Sequence, residues 1–365
     1  MKLLLHIGHP KTGTTTLQKA LSTNQKDLLA LGVLYPVLSK SGSHKVLIPH
    51  FFGVSLEDAR MRRLLGATED SVAAGSAATW EKVTTEVERH RPALTVLSAE
   101  QFFGLARHPR WSGFLDTLGS VFDEIDIVAY ARAPSSYFLS ARQQRLKYHR
   151  EISPVSPDYL QKTLSTLKSD PRVSLHVHAF DRSALIGGDI RTDFATRHLP
   201  EGAVEILDRS AEDSNESMSP EAMIVLERLR DSNLHIPLGS RPVELERIFK
   251  HVRREDQLLP GFTKPRLRPG IAAAIHDRSD DPAYMEREFG IRFERPRDAR
   301  EIPGPVDESE LESTETLCEF DADRLARLED IARRVGTGTP VRSQWADFTY
   351  NMRMLPRRTA AIFRR

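Results

Sequence analysis

Eight residues near the start of the chain, Gly8-His9-Pro10-Lys11-Thr12-Gly13-Thr14-Thr15, carry the densest chemistry in the sequence. They form the G-x-x-x-x-G frame of a phosphate-binding turn, with a lysine inside it and two hydroxyl residues behind it. Glycine lets the backbone bend until successive N–H groups point inward, and a helix starting just after adds partial positive charge. A phosphate is the ligand such a turn selects. The frame departs from a Walker A loop in one respect. Thr14 follows the second glycine, where an ATPase places its lysine, and the lysine stands at position 11 instead. From there it approaches the outer end of a ligand from a different side. No aspartate ends a later predicted strand in position to hold Mg²⁺, since Asp126 falls at the start or middle of one. The plainer alternative is a Gly/Thr turn that caps an ordinary helix.

Pro10-Lys11-Thr12-Gly13-Thr14-Thr15 resembles the 5′-phosphosulfate loop of sulfotransferases that use 3′-phosphoadenosine-5′-phosphosulfate (PAPS), whose pattern is close to P-K-[TS]-G-[TS]-[TS]. The resemblance covers roughly residues 1–200 and thins afterwards. It implies that Pro10, Lys11, Thr12, Gly13, Thr14 and Thr15 bind the donor, with Lys11 also stabilising charge as the S–O bond breaks. It implies PAP as product and no metal. The same family carries a 3′-phosphate element, an arginine ending a strand and a serine about eight residues later. Here the strand Asp126–Ala131 ends at Arg132, and Ser140 follows at that distance. A guanidinium presents a planar fork of donors suited to phosphate oxygens. Taken alone, the pair reads equally as a strand end and a helix-surface serine. Weaker likenesses are Val177–Leu185 with Ile190–Leu199, then Asn215-Glu216-Ser217, and a basic loop at Lys264–Gly270 that departs from the family's R-K-G-x-x-G wording.

Transfer of a sulfuryl group to a hydroxyl or amine needs positioning, charge stabilisation on the leaving phosphate, and a base. Glu100 is the first candidate base, because it lies just past the carboxyl end of a predicted strand, the edge where open α/β sheets bind ligands. His44 is the second and His50 the third. His9, inside the loop, is a further candidate for touching a phosphate. Each also reads as an ordinary surface or hydrogen-bonded residue.

The elements that must position these groups alternate. Lys2–Ile7, Ala93–Leu97, Glu124–Ala131 and Val173–Phe180 are predicted strands, each an apolar run. Thr14–Leu31, much of Leu56–Arg91, Trp111–Phe122, Tyr137–Tyr148 and Asp189–His198 are predicted helices, while Val33–Gly53 shows no clear pattern. Such alternation predicts an α/β fold, a P-loop-like parallel sheet covered by helices on both faces. Past about Pro200 strands fade, and a mainly helical C-terminal part is expected. The predicted division is a donor-binding core over 1–200, a helical part over 201–294, and an acidic linker, helix and basic tail over 295–365.

Bulk numbers set outer limits. The 365 residues carry 52 Lys+Arg against 51 Asp+Glu, a net charge of +1, so no global field points to nucleic acid. One cysteine, Cys318, excludes an internal disulfide framework and a cysteine-built zinc site. No apolar run reaches the ~18 residues a membrane span needs, and no cleavable leader is recognisable, so a cytoplasmic protein is expected. The expected acceptor is a glycan, lipid or small metabolite. The tail Trp345–Arg365 mixes apolar residues with arginines, which suits packing on its own domain or weak contact with an anionic membrane. Two other functions stay open: a P-loop kinase using ATP and Mg²⁺, and a sulfotransferase-like protein that only binds.

Overall fold

Leu3, Leu4 and Leu5 are all buried, so consecutive side chains on both faces of the first strand are covered. That is the pattern of a central strand in a parallel sheet. In the computed structural model, which describes residues 1–54, 65, 68–147, 157–208, 217–231, 243–268, 270–296 and 311–336, this strand is β1 (Lys2–His6). It pairs in parallel with β3 (Leu94–Ser98) on one side and β4 (Glu124–Ala131) on the other. β2 (Val33–Leu34) extends the sheet beyond β3, and β5 (Ser174–Ala179) beyond β4, giving the order β2-β3-β1-β4-β5.

Alternation along the strands feeds two apolar layers. Leu3, Leu5, Ile127 and Ala129 face one, with Phe102, Phe103, Phe114 and Leu164. Leu4, Val96, Val128 and Tyr130 face the other, with Leu17, Leu21 and Phe194. Each large apolar side chain among them contributes roughly 1.5–3 kcal/mol by leaving water, which fixes the register firmly.

The predicted strands are all present, and Val33–Gly53, unpatterned in sequence, supplies the fifth. The predicted single helix over Thr14–Leu31 is in fact two, Thr14–Thr23 and Gln25–Ala30. Asn24 divides them: its side-chain amide donates to the Ala20 carbonyl at 2.8 Å, ending the first helix. Buried Leu17, Ala20 and Leu21 hold that helix to the sheet.

The described chain packs as two compact units that interleave in sequence. The first comprises Met1–Phe138, Val155–Asn215 and Ile275–Pro296, and contains the whole sheet. The second comprises Leu139–Pro154, Glu216–Ala274 and Arg297–Arg365. The linear boundaries expected at 200 and 294 therefore give way to segments that leave and return. In the first unit the returning helix Asp281–Phe289 brings a buried carboxylate, Asp281, to the helix Tyr159–Lys168. Asp281 accepts the N–H groups of Leu160 and Gln161 at 3.1 and 2.9 Å, capping that helix from a distance. Burial pushes its pKa up to about 6.

In the second unit the helices Pro220–Asp231, Val243–Leu258 and Ala322–Gly336 enclose Met223, Leu226, Phe249, Val252 and Leu328. Arg324, 3% exposed, donates to the carboxylates of Glu221 and Asp256 at 2.8 Å each and to Ser219 Oγ at 2.6 Å. In the basic loop, Arg268 donates to the carbonyls of Cys318 and Glu315, which ties it to its own unit. The tail beyond Gly336, the linker residues 297–310 and the pair Asn215-Glu216 lie outside the described residues. Among the described residues no helix is long and apolar enough to cross a membrane.

Candidate active site

The carboxyl ends of β1, β3 and β4 meet where successive strands stop adding on one side of β1 and start adding on the other. In an open α/β sheet this is where ligands bind. Past the strand ends the ladder continues for one more bond each. Ile7 N–H donates to Val128 O at 2.9 Å, Ala99 N–H to His6 O at 3.1 Å, and Phe180 N–H to Ala131 O at 2.7 Å. The four turns that follow β1, β3, β4 and β5 are thereby anchored to one edge.

The turn after β1 is tightly folded. Lys11 and Gly13 both adopt left-handed backbone, with φ of 70° and 72°. For a lysine that conformation costs about 1–2 kcal/mol, and it persists because the surroundings fix it. A Cβ on Gly8 would stand 2.6 Å from Thr14 Oγ1, and one on Gly13 would stand 3.2 Å from both Phe180 and Ile190. Thr12 Oγ1 donates to the His9 carbonyl at 2.7 Å. Gly13 then starts the helix Thr14–Thr23 with no side-chain cap and no acid in its first turn. Thr14 Oγ1 is buried, with no hydrogen-bond partner among the described residues. Thr15 is exposed and Pro10 half-buried. An uncapped helix N-terminus with an orphaned hydroxyl beside it is satisfied by an anion.

Three of the charged residues singled out in the sequence act on one another here. Burial lowers the Lys11 pKa, with Glu100 opposing the shift and Arg132 adding to it. Burial raises the Glu100 carboxyl, opposed by the charge of Lys11. Burial also lowers Arg132, opposed by Asp181. Arg132 Nη1 donates to the Lys11 carbonyl at 3.1 Å, and its guanidinium lies 5.9 Å from the centre of the Phe180 ring. Two cations are thus held together partly out of water, Glu100 acting on Lys11 and Asp181 on Arg132. A bound phosphate would relieve that repulsion.

The other candidates fare differently. Ser140 is half-buried in the second turn of the helix Pro134–Lys147, past the point where that helix passes into the second unit. His44 is corrected as a base. Its Nδ1 accepts the Ser98 N–H at 2.8 Å, so the proton sits on Nε2, which donates to Pro36 O at 2.7 Å. Both nitrogens are spent and burial lowers the ring to about 4, so His44 holds the end of β3 in place. His50 is exposed, its ring against Phe51. A buried network sits beneath the turn: Ser98 Oγ bonds His6 Nδ1 at 2.8 Å and accepts from Gln18 at 3.0 Å.

His9 packs its ring into an aromatic wall. Its ring centre lies 4.1 Å from Tyr137, 5.3 Å from Phe103 and 5.6 Å from Tyr159, and Tyr137 stacks on Tyr159 at 5.7 Å with planes 6° apart. Arg107 stands over Tyr159 at 5.7 Å. Sequence reading missed this wall, and also Phe180 and Asp181 beside Arg132. Phe180 had a signal, since it directly follows β5 on the ligand edge. The wall had none. Among the described residues no group of three or more His, Cys, Asp or Glu side chains is arranged to hold a metal ion.

No known protein family matches the sequence, and no curated protein matches it. Two solved structures show slight likeness. A structure from the PezAT chromosomal toxin–antitoxin system of Streptococcus pneumoniae is 11% identical, covering 64% of this chain and 85% of that one, with a TM-score of 0.30. Retinol dehydratase in complex with androsterone and the inactive cofactor PAP is 14% identical, covering 94% of this chain and 82% of that one, with a TM-score of 0.22. At these scores neither likeness bears on function.

Proposed function

We propose that this chain is a sulfotransferase that takes a sulfuryl group from PAPS, passes it to a hydroxyl or amine of a glycan, lipid or small-metabolite acceptor, and releases PAP. The observation that supports this reading is the juxtaposition of Lys11, Arg132 and Glu100 at a turn whose helix start is uncapped and whose Thr14 hydroxyl is orphaned. The residues present fit the donor. The Gly8–Thr15 turn and the first amides of its helix would take the 5′-phosphosulfate, and Arg132 the 3′-phosphate.

In this reading Glu100 accepts the proton of the acceptor's O–H or N–H as that atom bonds to sulfur and the bond from sulfur to the 5′-phosphate oxygen breaks. A carboxyl raised by burial is the stronger base for that step. Lys11 stabilises the negative charge that collects on the leaving oxygen, where a preorganised cation is worth about 3–4 kcal/mol. The position of Lys11 inside the turn separates this reading from a kinase that places its lysine after the second glycine.

Thermal denaturation with PAP, with adenosine 5′-phosphate, and with ATP plus Mg²⁺ tests the proposal. A ligand at 100 times its Kd stabilises by about 2.7 kcal/mol. Stabilisation selective for PAP is expected. Selective stabilisation by ATP with Mg²⁺ would replace the proposal with the kinase reading.

A further inference from the structure

The aromatic wall is joined to the phosphate turn through His9, the turn's second residue, so it borders the place where the acceptor must approach. Its inner end is His9, 1% exposed, with both ring nitrogens lacking a partner among the described residues. Its sides are Tyr137 and Tyr159, half-buried and stacked on each other. Its outer end is Arg107, exposed, over the Tyr159 ring, with no carboxylate paired to it among the described residues. Phe103 and Gly104 lie on the short helix Phe102–Leu105 that begins two residues after Glu100, and a Cβ on Gly104 would stand 3.8 Å from the Tyr159 hydroxyl. One short stretch of chain therefore carries the candidate base, the back of the wall and the unpaired cation.

We propose that this wall is the acceptor subsite, and that Arg107 makes it selective for a ring-bearing acceptor with an anionic group beside the ring. Aromatic side chains take the apolar face of a ring, and a guanidinium on the rim pairs with a carboxylate through charge-assisted hydrogen bonds. The fields agree with the geometry: burial raises the Tyr159 hydroxyl, while Arg107 and Glu100 act on it with opposite signs. Both charges thus lie near the same ring. The inference rests on the sulfotransferase reading for what happens to the acceptor, and on the wall alone for what binds.

The test compares 4-methylumbelliferyl β-D-glucuronide with 4-methylumbelliferyl β-D-glucoside, which differ by a carboxylate against a hydroxymethyl. Calorimetry on the full chain measures binding of each with and without saturating PAP. The glucuronide is expected to bind about fivefold more tightly, the size a rim ion pair gives. Arg107→Ala should erase that preference and leave glucoside binding unchanged, while Tyr159→Ala should weaken both alike. Equal binding of the two probes, a preference that survives Arg107→Ala, or no binding of either at millimolar concentration would overturn the subsite. Failure of PAP to bind while the glucuronide preference persists would instead remove the donor reading and leave the subsite standing.

Discussion

Thr14→Val should move two measurements in opposite directions. The Thr14 hydroxyl is buried and has no partner among the described residues, so the ligand-free protein carries it at a cost. Mutational data put an unpaired buried hydroxyl at about 1–3 kcal/mol, and valine is its closest isostere. Part of that gain is lost, because the replacing methyl is larger and the hydroxyl already sits close to Gly8. A net stabilisation of about 1 kcal/mol is expected. For 365 residues the unfolding entropy is about 0.8 kcal/mol per kelvin, so Tm should rise by about 1–2 °C. PAP binding should meanwhile weaken by about 1–1.5 kcal/mol, five- to tenfold, because the variant offers no hydroxyl to the phosphate. Paired differential scanning and titration calorimetry read both. A variant that loses stability would mean that the hydroxyl has a structural partner, and one that binds PAP normally would mean that the phosphate sits elsewhere.

Three other expectations follow from the geometry. Arg132→Ala should weaken PAP by about 1.5–3 kcal/mol and leave adenosine 5′-phosphate nearly untouched, as measured by calorimetry; equal losses would make Arg132 a residue of the fold. The pH profile of kcat/KM should be bell-shaped. Glu100 must be ionised to act and burial raises it, so the acid limb should lie above its ordinary 4.5. Lys11 must be charged and burial lowers it, so the alkaline limb should lie below 10.5. An acid limb that persists unchanged in residual Glu100→Gln activity would assign it to another group. Arg324→Met should cost about 3–5 kcal/mol in urea unfolding, since it strands the buried carboxylates of Glu221 and Asp256; a loss below about 1 kcal/mol would mean that those groups repair themselves with water.

The sheet was legible wherever burial on both faces wrote a continuous apolar run. Glu124–Ala131 was read to the residue, and β1, β3 and β5 to within one or two. β2 escaped because two residues, Val33 and Leu34, cannot express a period. The break at Asn24 escaped because apolar spacing carries across it, while the side-chain bond to Ala20 marks the end of the helix. The shape of the Gly8–Thr15 turn was legible because glycine spacing records a tight backbone locally. His44 misled for the converse reason: its burial and its two bonds come from β3 and Pro36, and a histidine in an unpatterned loop gives no hint of them. The aromatic wall joins His9, Phe103, Tyr137 and Tyr159, drawn from four elements whose meeting only the completed sheet dictates.

Asp281 lies far downstream of the helix it caps, and that order matters while the protein is being made. Synthesis delivers Tyr159 and the whole sheet first, then Glu216–Ala274 of the other unit, and only then the carboxylate that receives the Leu160 and Gln161 amides. Until residue 281 leaves the ribosome, the nascent helix carrying Tyr159 has an open amino end and a missing neighbour. A nascent chain halted near residue 260 should therefore already present the Gly8–Thr15 turn, while the segment bearing Tyr159 stays sensitive to protease. Protection of that segment should arrive in one step once the last stretch of the first unit has been released.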